Sequence, residues 1–397
     1  MAVEYSYDLT NPVRYVQPAF DSMIQAYPTL LSMISRGPDW GGSAGSSTGP
    51  KLEWMERSLS QTTFTVASFD TNGDGTGINF ASTTGMAAGD MIIFESSTGQ
   101  RRAGAAKIAS VDSGTDITIS RDYGADSITL DTIVVGDIAK IVKPVAEGSS
   151  ASESTYTAPT ANYNYPVILQ RAVQISNTNL GIPVYGSVSK LSGAPAEKLL
   201  DAMDQKMLEI MWEMNNILIN GVRAARSTSD TKGMAGGLFQ FLTSGNVNTT
   251  GGSISLDHIN DTLEDILEDG GMPGNYALVM NYNQARKISA LNTSGSNPIV
   301  YVQPRSNVAG EAITQIYGDL PGNIGNVITE PNMPKDAILV VNMDMVEINY
   351  LAGRTLVDLD AKDAPADDYV MRRLLTEFTF TIRNGTTAHG MITGLDV

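Results

Sequence analysis

From Leu200 onward the apolar positions run Leu200, Met203, Met207, Ile210, Met214 and Ile217, reaching Gly221. That three-four alternation lays one apolar stripe along a helix, so the pattern predicts a single long helix over 194–226 that empties into a glycine-rich turn. Pro195 suits a first-turn position, where its missing N–H has no partner to lose, and Ser192 lies nearby as a cap. At about 1.5 Å per residue the helix is a rod on the order of 45 Å, longer than a small domain needs. A different period governs 61–147, where TFTVASF, DMIIFE, AAKIASV, DITISR and DIAKIVK alternate in twos. Gly, Asp and Ser break these runs about every ten residues, which predicts a small antiparallel barrel or sandwich. The small polar run from Gly148 to Ser152 then reads as a linker, so the β-rich stretch reads as a domain inserted between two strands of one long hairpin.

The rest of the chain mixes both periods. A helical pattern at Ala19, Met23, Ile24, Tyr27, Leu30, Leu31 and Ile34 precedes GGSAGSSTG at Gly41 to Gly49, which suggests an amino-terminal arm. From Leu238 to about Pro331 helix and strand patterns alternate between Gly/Asn/Pro loops, as in an α/β or α+β layer. AILVVNMDMVEINYL reads as buried strands, the acidic run Asp358 to Asp368 as an exposed loop, and the last strands as returning beside the long helix. No internal repeat of fixed period stands out.

Order and motif together carry a resemblance. Asn220-Gly221, a polar loop with Lys232-Gly233, and Met234-Ala235-Gly236-Gly237-Leu238 follow the long helix. This resembles the end of the spine helix in the major capsid proteins of tailed bacteriophages, which have the Hong Kong 97-type fold. Tyr163 to Ser189 resembles the strand returning from that fold's extended loop. SLDHINDTLEDILEDGG, YALVMN and QARKISAL resemble its axial domain, and RRLLTEFTFTIRNGTTAHGMITGL its closing strands.

The resemblance implies an α+β, Hong Kong 97-like capsid fold with a long spine helix, peripheral and axial domains, and an extended loop carrying the inserted β-barrel or sandwich. The implied division is 1–50 for the arm and helix, 51–186 for the extended loop with its insertion at about 61–147, 187–236 for the peripheral domain with the spine helix, 237–334 for the axial domain, and 335–397 for peripheral strands and carboxyl terminus. It further implies a structural protein that self-assembles through hexamers and pentamers into an icosahedral shell around double-stranded DNA. Portal, scaffolding or decoration proteins would be its partners, the virion its location, and the cytoplasm of a bacterial host its place of synthesis. The alternative is an encapsulin-like cargo shell, which neighbouring genes for a portal and terminase or for a cargo enzyme would tell apart.

Composition narrows the choice. The 26 basic and 43 acidic residues leave a formal net charge of −17, whereas nucleic-acid binders carry a basic footprint that displaces phosphate counterions. Such a chain repels DNA on average, which suits a container wall that DNA must not stick to and suits plain solubility equally. There are no cysteines, so disulfides and thiolate metal sites are excluded. Met1 to Thr10 has neither a basic start nor an apolar core, so no secretory signal is expected, and no apolar run approaches the length of a membrane helix.

Candidate chemistry is sparse. Asp70, Asn72 and Asp74 match the first half of a calcium loop and are a weak calcium candidate, but Ala81 stands where a bidentate acid should close it, and the stretch reads rather as an ordinary hairpin turn. Ser43 and Ser47 each sit in a Gly-x-Ser-x-Gly string without the preceding apolar strand of a nucleophile elbow. His258 falls in the first turn of a helix and His389 in the terminal strands, too few for a metal centre. Glu264, Asp265, Glu268 and Asp269 space their charges along a solvated helix face. Some members of the resembled family cross-link subunits through lysine and asparagine. Lys143, Lys190, Lys198 and Asn384 are present here, but no motif selects a pair. No catalytic or cofactor-binding residue is therefore expected.

Overall fold

The computed structural model describes residues 30–31, 45–47, 49–57, 62–69, 77–121, 123–124, 128–145, 147, 159–181, 195–226, 232–243, 245–271, 275–291, 324–360 and 368–397. In chain order the elements are β1 (Gly45–Ser47), β2 (Leu52–Glu56), β3 (Thr63–Phe69), β4 (Gly77–Phe80), β5 (Met91–Glu95), β6 (Ala106–Val111), β7 (Asp116–Ser120), β8 (Ile138–Val142), β9 (Thr160–Asn164) and β10 (Val167–Ser176). Then come α1 (Asn177–Gly181), α2 (Pro195–Asn220), α3 (Leu238–Leu242), β11 (Asn246–Gly252), α4 (Leu256–Glu268), β12 (Tyr276–Met280) and α5 (Tyr282–Leu291). The chain closes with β13 (Ile324–Thr329), β14 (Ile338–Asn342), β15 (Val346–Leu351), β16 (Val357–Asp360), β17 (Tyr369–Ile382) and β18 (Gly390–Leu395). The chain is thus α+β, and it divides into one compact unit at Arg57–Thr160 and another formed by the remainder.

The unit at Arg57–Thr160 is a closed antiparallel barrel of β3-β4-β7-β6-β5-β8. Its strands bury every second residue, among them Phe64 and Val66, Ile92 and Phe94, Ile117 and Ile119, and these fill the interior as a packed core. Closure leaves no sheet edge to pair with another chain. The four-residue β4, GINF, is a strand that the sequence pattern does not reveal, because a run this short carries barely two alternations.

The other unit is built on two five-stranded sheets. One has the order β1-β15-β17-β10, with β16 also on β17; the second has the order β11-β18-β14-β12-β13. In β12 and β14 every residue is buried, so their alternation separates two cores instead of core from solvent. Ala277, Val279, Leu339 and Val341 join Ile210, Met214 and Leu218 of α2, while Leu278, Met280, Ile338 and Val340 join Ile259, Leu263 and Ile266 of α4. The apolar face of α4 is set by its cap: Ser255 Oγ accepts from the His258 N–H, and His258 Nδ1 accepts from the Ser255 N–H, each at 3.3 Å.

The long helix departs from the sequence pattern at its carboxyl end and along its inward face. It begins at Pro195, the expected first-turn position, but stops at Asn220 instead of continuing to Arg226. Leu200, placed on the inward stripe, is 58% exposed, and Met203 and Met207 are only partly buried against the core. Toward its end the helix is buried on several sides, with Ile210, Met211, Met214, Leu218 and Ile219 all inside, so a single three-four stripe understates the burial of its second half. Arg171 of β10 holds the exposed side by ion pairs to Glu209 (3.3 Å) and Glu213.

The expected returning strand over 163–189 is β9 and β10, separated at Pro166, and it ends in the short helix α1. Residues 182–190 lie outside the described part. The acidic run at 358–368 is likewise no simple loop, because Val357–Asp360 pairs with Arg372 to Leu375 of β17.

Candidate functional site

A framework of polar contacts surrounds the exit of α2. The helix stops because its backbone turns back on itself: the Gly221 N–H donates to Ile217 O (2.9 Å), the Gly237 N–H to Gly221 O (2.8 Å), and Ala224 and Met234 exchange both backbone hydrogen bonds at 3.0 Å. Only glycine fits this closure. A Cβ on Gly221 would lie 2.4 Å from the carbonyl oxygens of Ala235 and Ile217, and one on Gly237 would lie 2.5 Å from Ile217 O and 2.7 Å from Leu218 O.

Asn164, at the end of β9 and fully buried, ties this turn to the sheet. Its Nδ2 donates to Gly236 O (3.1 Å) and Phe380 O (2.9 Å), while its Oδ1 accepts from the Gly236 N–H (2.7 Å) and the Tyr165 N–H (2.9 Å). Arg223 lies just past the helix, donates to Tyr163 O (2.8 Å) and stacks 4.1 Å from the Tyr163 ring centroid. Lys51 lies 4.0 Å from the same ring and pairs with Glu53, whose hydrogen bond is the main reason its pKa is raised.

Two buried carboxylates, Glu377 and Glu330, and the half-buried Glu56 complete the frame. Glu377 of β17 accepts from Arg226 (2.7 Å) and Arg354 (3.1 Å), whose outer parts stay in solvent. Glu56, the last residue of β2, accepts from Trp54 Nε1 (2.7 Å) and from the Asn384 N–H (2.9 Å), fixing the β2 end to the turn between β17 and β18. Glu330 accepts from the Leu30 N–H (2.7 Å) and from Asn215 of α2 (2.9 Å). A carboxylate buried in this way is tolerated only while its donors stay in place, so each contact fixes a geometry more than it adds stability.

His389, fully buried, performs the same service between the two sheets. Its Nδ1 accepts from the Asn342 N–H at the end of β14 (3.1 Å), and its Nε2 lies 3.2 Å from Arg383 O just after β17. Burial lowers its pKa from 6.5 to about 4, against the smaller opposing pull of the Arg383 carbonyl. Since the unfolded chain takes up this proton first, stability should climb with pH between about 4 and 6.5, and this residue should contribute roughly 3 kcal/mol to the climb. Thermal midpoints measured across that window should rise more steeply for the natural chain than for His389→Gln; parallel profiles would contradict the assignment.

The candidates singled out by sequence are scattered. Asp70, Asn72, Asp74, Ser43 and Lys190 lie outside the described residues. Ser47 is the last residue of β1, in parallel register with Leu351, and no helix follows it as an elbow requires. His258 is a helix cap, Lys143 is exposed beyond β8, and Lys198 lies in α2. Asn384 sits in a turn at φ 50, its backbone N–H on Glu56. The acidic face of α4 is exposed as expected, with the Asp265 pKa raised by burial and then by Asp261, Asp269 and Glu264. Among the described residues no group of three or more His, Asp or Glu side chains could hold a metal, and no helix is long and apolar enough to cross a membrane.

What this arrangement can do is mechanical: it fixes the angles between a long helix, the two-stranded sheet of β2 and β9, and two larger sheets. A family model described as SU10 major capsid protein matches residues 20–396. The chain belongs to that family. It is a structural protein of the virion's capsid and assembles with copies of itself into the shell. No curated protein matches this capsid subunit. Among solved structures, a chain from Mycobacterium phage Adephagia is 11% identical, with 100% of this chain and 99% of that one covered at a TM-score of 0.46. The cyanophage A-1(L) capsid asymmetric unit is 10% identical over 64% of this chain and 85% of that one, at 0.43. The holo-SrpI encapsulin complex from Synechococcus elongatus is 12% identical over 61% and 77%, at 0.41. At these scores the family match alone carries the assignment.

Asn164, Glu330 and Glu377 are the residues that sequence reasoning misses. Glu377 had a signal, a lone acid in the apolar alternation LLTEFTFTI; Asn164 had none.

Proposed function

We propose that this capsid subunit has the Hong Kong 97-type organisation. In that reading α2 is the spine helix, the sheet of β1-β15-β17-β10 belongs to the peripheral domain, and the sheet of β11-β18-β14-β12-β13 with α4 and α5 forms the axial domain. The β2–β9 pair is the base of an extended loop whose chain runs on into the barrel. Copies associate as hexamers and pentamers and close an icosahedral shell around double-stranded DNA. Portal, scaffolding or decoration proteins join them, and synthesis takes place in a bacterial cytoplasm.

The observation that carries this reading is the glycine-locked exit of α2, stapled by Asn164 to the end of β9 and to β17. A subunit whose arm must meet a neighbour at a set angle needs a rigid joint at that place, and the Asn164 amide makes all four of its hydrogen bonds there. The net charge of −17 fits a wall that holds DNA without binding it. The independence of the barrel follows from its closed topology and its own core, so limited proteolysis is expected to release it intact.

Sedimentation of the full-length expressed chain tests the assembly. Particles many times heavier than the 42.3 kDa subunit are expected, whereas a strictly monomeric species at every concentration, even with co-expressed scaffold, would sink the proposal.

A further inference from the structure

The barrel contains a symmetry that no periodicity in the sequence announces. Each of its two halves runs strand, strand, Gly-Asp turn, strand: β3, β4, Gly89-Asp90 and β5, then β6, β7, Gly136-Asp137 and β8. In both turns the glycine has positive φ, 100 for Gly89 and 92 for Gly136. In both, the aspartate is buried and its Oδ2 accepts a backbone N–H at 2.9 Å, from Ala87 for Asp90 and from Val134 for Asp137. Its own N–H returns to the same residue's carbonyl at 3.1 Å.

Each turn then grips the first strand of the other half by the same two bonds. The Gly89 N–H donates to Ile108 O (2.8 Å) and the Ile108 N–H to Asp90 O (2.8 Å); the Gly136 N–H donates to Val66 O (2.9 Å) and the Val66 N–H to Asp137 O (2.8 Å). Val66 and Ile108 are also where the two hairpins shift register, between Val66 and Ser68 in β3 and between Ile108 and Ser110 in β6. Pairing between the halves obeys the same exchange. Phe64 faces Ala139 as Ala106 faces Ile92, and Gly77 faces Thr118 as Asp116 faces Asn79. Ile78 faces Ile117, and Ile93 faces Lys140, so these two pairs lie on the axis.

We infer that the barrel is an internal duplication, two copies of one β-β-turn-β unit intertwined about a two-fold axis. The strand order β3-β4-β7-β6-β5-β8 maps onto itself when the halves are exchanged, which an unrelated set of six strands has no reason to do. Neither copy can close alone, because β5 and β8 each pair with the other copy's first and third strands. Side-chain identity has drifted while the backbone role is kept. Phe64 and Ala139 exchange sizes with Ala106 and Ile92, and the exposed Val134-Val135 stands where the other copy has Ala87-Ala88. Arg102, in the connection between the copies, pairs with Asp137 (2.9 Å), and Lys140 pairs with Glu95 (2.7 Å), two ion pairs that depart from the symmetry.

The full-length chain allows a direct test: exchange the order of the two copies, so that Ala106–Val142 precedes Phe64–Glu95, with residues 96–105 still joining them. The strand pairings between copies are then preserved, Arg102 comes to face Asp90, and the joining segment gives up its bonds to Tyr123 and Asp131. Hydrogen exchange of the six strands should stay within about threefold of the natural chain. Loss of protection across the barrel overturns the duplication as an interchangeable pair, unless the reordered chain fails to fold at all. In that case single variants decide. Asp90→Ala should speed exchange at the Ile108 amide at least tenfold, and Asp137→Ala should do the same at the Val66 amide. An unchanged Ile108 amide in Asp90→Ala would show that the two turns are not equivalent and would overturn the inference.

Discussion

Met214→Asp is expected to remove most of the stability of the unit that contains α2. Met214 is fully buried among Ile210, Ile217 and Leu218 of its own helix and the inward residues of β12 and β14. A carboxylate there has no cation among its core neighbours, so it must either stay charged in an apolar interior or take up a proton, and both are unfavourable. A penalty of about 4 kcal/mol or more is expected, a large part of what holds an ordinary domain folded. Asp204→Ala, on the exposed side of the same helix, should cost about 0.5 kcal/mol or less. Leu200→Asp should be nearly as mild, because that leucine already faces solvent. Thermal melts of the three variants check the assignment of faces; a Met214→Asp chain that melts with the natural one would refute it.

The second large effect is expected at Asn164→Leu. The side chain fits the volume but strips partners from four backbone groups, the N–H and C=O of Gly236, the C=O of Phe380 and the N–H of Tyr165. Buried groups left without a partner cost about 1–3 kcal/mol each, and partial relaxation should leave a net loss of roughly 4 kcal/mol. Asn162→Leu, half-buried and only 3.5 Å from the Glu56 oxygens, should lose about 1 kcal/mol or less. Beyond stability, the Asn164 variant frees the end of the arm from the helix exit. Its surviving folded subunits should therefore assemble less completely than those of Asn162→Leu at equal melting margin, as read by the fraction pelleted on sedimentation.

The features legible in the sequence are those that repeat along the chain. The period-two alternation in TFTVASF and DITIS locates barrel strands because one face of each is core and the other solvent. Gly221 and Gly237 mark the helix exit because a Cβ at either would meet backbone oxygens, so Asn220-Gly221 and Gly236-Gly237 stand out in the sequence. The helix face at Leu200 differs from the pattern because a stripe predicts burial only where something covers it, and among the described residues nothing covers that leucine. The two-fold relation in the barrel escaped because its copies have loops of different lengths, which destroys any fixed period while leaving each hydrogen-bonded crossing intact. Asn164 could not be found by pattern at all. Its importance comes from two segments far apart in the chain, Gly236 and Phe380, meeting at one amide.

The central claim is that this chain is a shell subunit whose helix, arm and sheets keep fixed angles as copies pack around one another. Electron cryomicroscopy of particles formed by the full-length chain tests it most directly. The account predicts a closed icosahedral lattice of fivefold and sixfold clusters, with density for α2 ending at Asn220 and the β2–β9 arm departing from it at the Asn164 joint in every copy. Open aggregates without a lattice, or subunits whose arm leaves the helix end at unrelated angles, would contradict it.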